Sequence, residues 1–100
     1  MNAIMVRYKV KPERVTENEE YISRVFEELN EKKPSGFRYS SFKLEDGVSF
    51  VHIVLEESDT GASLGDFPAF QAFTAHIVER CDEPPAATGM TAVGSYRIPE

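Results

Sequence analysis

The chain has 100 residues, 41% hydrophobic and 28% charged, a balance that excludes disorder and gives a single domain, residues 1–100, burying about 60 to 65% of its unfolded surface. No apolar run is long enough to span a bilayer, and a net charge of −6, from 17 acidic against 11 basic residues, repels phosphate backbones. No membrane and no nucleic acid is therefore expected as a partner.

One cysteine, Cys81, and two histidines make neither an internal disulfide nor an adequate zinc set, so no metal is expected. The start, "MNAIMVRYKVKPER", lacks the apolar segment of a secretory signal, and a cytoplasmic location is the expectation. No P-loop, dinucleotide-binding glycine pattern or Ser/His/Asp spacing is present, and no cofactor is expected.

In chain order, residues 3–10 ("AIMVRYKV") alternate Ile4, Val6, Tyr8 and Val10 with Ala3, Met5, Arg7 and Lys9, the two-residue period of a strand. Thr16 and Glu19 have capping-box spacing for a helix to Lys33, whose stripe is Val15, Ile22, Val25, Phe26 and Leu29. Glu20 before Arg24 and Glu28 before Lys32 mark its solvated face. "PSG" ends this helix and "FRYSSFKL" follows as a strand, with a phase change that predicts a bulge near Ser40 and Ser41. "EDG" turns the chain into "VSFVHIVLEE", a strand apolar on both faces. After the loop "SDTGASLGD", Asp66 is the expected cap of a helix over 67–81 with Pro68 in its first turn. "DEPPAATG" reads as a loop and "MTAVGSYRI" as the last strand.

The order βαββαβ predicts a ferredoxin-like α+β fold, a four-stranded antiparallel sheet with two helices on one face and the first and third strands central. Phe50 and Val54 lie on the opposite face of the third strand from Val51, Ile53 and Leu55. With helices on only one face, a second layer is missing, and a partner subunit is expected to supply it.

The strand order, "KVKPERVTENEEYISRVFEEL", "PSGFRYSSF" and the aromatic "FPAFQAFTAH" together resemble the antibiotic biosynthesis monooxygenase-like group of the dimeric α+β barrel superfamily. The resemblance implies a homodimer with facing sheets, and a small-molecule cavity between each sheet and its helices. It also implies, as one activity of the group, cofactor-independent oxygenation of polycyclic phenols; haem degradation is another. The chain departs from it in having no tryptophan, and Val6 stands where the haem-degrading branch has an asparagine.

Within "FPAFQAFTAH", about 100° per residue puts Phe67, Phe70, Phe73, Ile77 and Cys81 on one face, a core stripe that can also wall a cavity. His76 falls about 120° from Phe70, off the stripe with Ala69, Ala72 and Arg80. It is either a general base or haem ligand at a cavity edge, or a surface or dimer-contact residue. His52 is either a satisfied core histidine or a polar group in a pocket; if the face of Phe50 meets a partner, it belongs to the dimer interface. Asn18 falls inside the apolar stripe of the first helix, as a ligand-orienting group or a residue exposed at the sheet end. Tyr8, Tyr39 and Tyr96 are strand tyrosines, phenol-binding donors or amphipathic core residues. The function expected is a cofactor-independent monooxygenase acting on a small apolar, aromatic or quinol-type molecule, with His52 or His76 as base. The alternative is a homodimer that binds such a ligand without chemistry.

Overall fold

The structure, a computed structural model, describes residues 2–57 and 63–97. Its elements are β1 (Asn2–Val10), a 3-10 turn (Pro12–Arg14), α1 (Val15–Lys32), β2 (Phe37–Lys43), β3 (Ser49–Glu56), a 3-10 turn (Leu64–Asp66), α2 (Pro68–Ala75), α3 (Ile77–Arg80) and β4 (Cys81–Met90). The strands form one antiparallel sheet in the order β2-β3-β1-β4. The ferredoxin-like α+β reading holds, with β1 and β3 central.

Register decides which face meets the helices. Tyr8 stands opposite Phe50 and Val6 opposite His52, while Ser41 of β2 also stands opposite His52; residues so paired project from the same side of the sheet. Tyr8, Val10 and Phe50 join Val25 of α1, Phe73 of α2 and Ile77 of α3 in the buried core. The face of Phe50, His52 and Val54 is therefore the helix side, and His52 lies inside the subunit. Met5, Val51, Ile53 and Leu55 occupy the other face, half-buried, with Phe42 52% exposed beside them.

Four expectations need correction. The last strand is residues 81–90, not 90–98: "DEPPAATG", read as a loop, pairs with the free side of β1. Its prolines are tolerated because β4 is an edge strand, where half the N–H groups need no partner. From Arg7↔Ala86 to Lys9↔Glu83, β1 advances two residues and β4 three, so a bulge absorbs Pro84 and Pro85. Residues 91–97 follow outside the sheet, and Ile98 lies outside the described residues.

The helix expected over 67–81 breaks at His76, whose backbone (φ −123°, ψ 14°) is not helical. Two residues earlier the Thr74 hydroxyl donates to the Phe70 and Gln71 carbonyls, a back-bond that bends or ends helices. No bulge occurs at Ser40 and Ser41, which pair with Ile53 and His52 in unbroken register. The apolar residues change sides because both faces of the sheet are apolar: Tyr39 faces the helices and Phe42 the open face.

The caps also differ. Arg14 precedes α1 and makes no side-chain cap; instead it holds the Glu17 carboxylate with two hydrogen bonds, of 2.8 and 3.0 Å. Asp66 closes a capping box with Ser63 on the short 3-10 turn. Pro68 does open α2, but the free N–H of Ala69 donates to Glu28 of α1 at 3.0 Å.

Candidate functional site

Between sheet and helices lies a cavity of ≈160 Å³. Val6, Val54, Phe70, Phe73 and Ile77 give it apolar walls, and Tyr8, Tyr39 and His52 line it with their rings, their polar atoms bonded to one another and to Asn18 and Ser41. The strand period sets Tyr8 and Val6 two apart on β1 and His52 and Val54 two apart on β3, so one register delivers both wall and polar groups. The α2 stripe supplies the opposite wall.

His52 is the hub of this site, 3% exposed. Its Nε2 is 2.6 Å from the Tyr8 hydroxyl, and its Nδ1 is 2.5 Å from the Tyr39 hydroxyl and 2.9 Å from Ser41 Oγ. Behind Tyr8, Asn18 Nδ2 donates to the phenol oxygen at 3.0 Å, and Arg80 Nε donates to Asn18 Oδ1 at 3.0 Å. Arg80 Nη2 donates to the Phe73 carbonyl. The result is a continuous buried chain, Arg80–Asn18–Tyr8–His52, ending on two hydroxyls.

Burial governs the electrostatics. Removal from water disfavours the charged form, so His52 is pushed down to about 4 and is neutral at pH 7. Burial pushes Tyr39 up to about 12 and Tyr8 well above the ordinary phenol range, with the Asn18 hydrogen bond opposing the rise at Tyr8. Neither tyrosine ionises unaided. Arg80 is fully buried, and burial lowers its pKa, with the Glu17 charge opposing the fall. Among the described residues its Nη1 has no hydrogen-bond partner, but the guanidinium lies 4.4 Å from the Tyr21 ring centre and 5.3 Å from that of Phe73. Those π faces take the place of a carboxylate.

The structure brings together Tyr8, Asn18, Tyr39, His52, Phe70 and Phe73. Asn18 is fully buried and touches the cavity only through Tyr8. Tyr39 is held by stacking on Phe26, with ring centres 5.1 Å apart, and by an edge contact with Phe70. His76 and Tyr96 stand apart. His76, at the helix break, is exposed and lies 3.6 Å from Glu79; Tyr96 is 82% exposed, outside any strand. Cys81 is half-buried at the start of β4, its thiol raised by burial.

Arg80 and Ser41 are the residues that sequence reasoning missed. A straight helix puts Arg80 on the side of His76, away from the core; the break at His76 turns it inward. Ser41 becomes visible only with the hairpin register that sets it opposite His52. Among the described residues no three His, Cys, Asp or Glu side chains converge on a metal position, and no helix is long and apolar enough to cross a membrane.

No family model matches the chain, and no curated protein does. Solved structures do. Rv0793 from Mycobacterium tuberculosis is similar with a TM-score of 0.74 at 17% identity, over 94% of this chain and 96% of that one. An antibiotic biosynthesis monooxygenase is similar with a TM-score of 0.70 at 17% identity, over 94% and 100%. A variant of SnoaB, a cofactor-independent oxygenase from Streptomyces nogalater, is similar with a TM-score of 0.66 at 17% identity, over 99% and 97%. The fold is that of the antibiotic biosynthesis monooxygenase-like proteins.

Proposed function

We propose that the protein is a cofactor-independent monooxygenase acting, as a homodimer, on a one-ring phenol or quinol held between sheet and helices. The observation that carries this reading is an apolar cavity lined by the rings of a neutral imidazole and of the two tyrosines whose hydroxyls it bonds. Its size narrows the substrate: an apolar cavity of about 150 Å³ holds one benzene, so ≈160 Å³ takes a single ring. The polycyclic phenols implied by the resemblance do not fit it. The likeness to a cofactor-independent oxygenase is one of fold, and the chemistry rests on the cavity.

In this reading the ring hydroxyl gives its proton to Tyr8 as Tyr8 passes its own to His52 Nε2. The resulting anion, shielded from water, reacts with dioxygen. One oxygen atom stays on the ring as a carbonyl and the other leaves as water, the substrate supplying all four electrons. A base at about 4 taking a proton from a simple phenol near 10 works about 8 kcal/mol uphill before the new ion pair is counted. Ring hydroxyls more acidic than phenol are therefore favoured. The same weak basicity favours the second reading, a protein that binds the ring without reacting.

Oxygen uptake with one-ring quinols tests both. Uptake is expected in the wild type and in His76→Ala, and its loss in His52→Ala. Uptake that persists in His52→Ala would remove His52 as base. Calorimetric binding with no uptake by any one-ring substrate would leave the binding protein.

A further inference from the structure

The hydrogen bonds around His52 have a direction, and Arg80 sets it. A guanidinium N–H can only donate, so the Asn18 atom facing Arg80 Nε is the carbonyl oxygen, and the amide nitrogen faces Tyr8 as a donor. The Tyr8 oxygen thus accepts from Asn18, and its own proton goes to the one acceptor in reach, His52 Nε2 at 2.6 Å. The reverse assignment would aim that proton into an apolar cavity without a partner, which costs about 1 to 3 kcal/mol. The neutral imidazole therefore carries its proton on Nδ1, facing Tyr39 and Ser41.

These two hydroxyls lead to different places. Tyr39 is packed between Phe26 and Phe70; it lines the cavity and also borders a second surface cleft beside Asn30 and Lys33. Ser41 also lines a separate cleft of ≈170 Å³, which it shares with Phe50, Ser23, Glu19 and Lys43. Ser23, Glu19 and Lys43 are exposed, and the Lys43–Glu19 ion pair, at 3.4 Å, spans the cleft from β2 to α1. Both hydroxyls touch the buried imidazole and border a surface cleft, but only Tyr39 also lines the cavity, so a proton passed to Ser41 leads outward alone.

We propose that Ser41 is the outlet of a directional proton path which enters His52 at Nε2 through Tyr8 and leaves from Nδ1 to the α1–β2 cleft. Its use in turnover rests on the monooxygenase reading, but the path itself is built without substrate. In the outward step the substrate O–H breaks and Tyr8 gains that proton. Tyr8 gives its own to Nε2, Nδ1 gives its proton to Ser41 Oγ, and Ser41 releases one to water in the cleft. The net change is one proton moved from cavity to solvent, leaving the Nε2–H tautomer. Proton return along the same chain, when the oxygenated intermediate is reprotonated, restores the Nδ1–H form. Arg80 and Asn18 are positioning residues, since they fix the direction without touching the cavity.

The test uses the full chain without substrate. In His76→Gln, which leaves one histidine, nitrogen-15 NMR of labelled imidazole is expected to show the Nδ1–H tautomer at neutral pH. Replacing Asn18 with Leu is expected to give a mixture of tautomers. Exchange of the Nδ1 proton with deuterium is expected to slow at least tenfold in Ser41→Ala and to recover in Ser41→Thr, which restores the hydroxyl. A predominant Nε2–H tautomer before any change at the site, or exchange unaffected by Ser41→Ala, would overturn the path. Because neither readout involves catalysis, oxygen uptake that persists after such a result would leave the monooxygenase reading standing, and the reverse outcome would leave the path.

Discussion

His52 couples the site to stability, because it is an imidazole kept neutral by burial. In the unfolded chain it titrates at 6.5, and in the folded protein at about 4. Between these values the unfolded state binds more protons, so the stability His52 contributes is fully present above 6.5 and is lost as pH falls toward 4. The loss is on the order of 3 kcal/mol. Urea unfolding of wild type and His52→Gln across pH 7 to 4 checks this: the wild type is expected to weaken more steeply, and parallel curves would refute it. Tyr8→Phe removes one hydroxyl and leaves both His52 Nε2 and the Asn18 amide without their partner. A loss of about 1 to 3 kcal/mol is expected, against a near-neutral effect for the exposed Tyr96→Phe. At this scale the sequence was informative where helical angle alone decided, as for Asn18 inside the α1 stripe. It was silent on Arg80, because a charged residue four after His76 reads as solvent-facing unless the helix is known to break.

At the scale of elements, the strands and helices follow the sequence where a repeat or an apolar run is several residues long and depart from it where side chains intervene locally. β1, α1 and the β2–β3 hairpin match their expected ranges closely, since each has a repeat several residues long. The end of α2 does not, because the Thr74 back-bonds compete with the helix, and no periodicity records them. β4 was hidden for another reason: its prolines argue against a strand everywhere except at an edge, and edge position is a property of the assembled sheet. The junction between α1 and α2 gives a sharper prediction. Glu28 receives the Ala69 N–H and also Lys32 at 2.8 Å, and both bonds hold its carboxylate below the usual range. Glu28→Ala leaves the first turn of α2 uncapped, and a loss of about 1 kcal/mol is expected by thermal unfolding. Lys32→Ala, which removes a half-exposed partner and its contact with the Phe67 ring but leaves the Ala69 bond, is expected to cost less than Glu28→Ala, about 0.5 kcal/mol.

The whole molecule is a sheet with one covered face and one bare one. Met5, Val51, Ile53, Leu55 and Phe42 form an apolar patch on the bare face, and a groove of ≈900 Å³ runs beside Ile4, Leu55 and Met90 to Thr91, Ala92, Gly94 and Ser95. Val93, in the middle of that segment, is fully exposed. An antiparallel sheet tolerates water on one side when that side is polar; here an apolar patch runs between Arg7, Lys9 and Arg38, and a second copy presenting the same patch would cover both. A stable pair needs about 600 to 1,000 Å² from each partner, which a four-stranded sheet face can provide. Light scattering at micromolar concentration is expected to give a dimer, and a monomer would contradict it. Ile53→Lys places a like charge in each copy within the contact, which is expected to shift the protein toward monomer. His52 lies on the opposite face of β3 from Ile53, so its tautomer and its titration are expected to be unchanged in that monomer. If the His52 signals moved with dissociation, the site would extend across the pair.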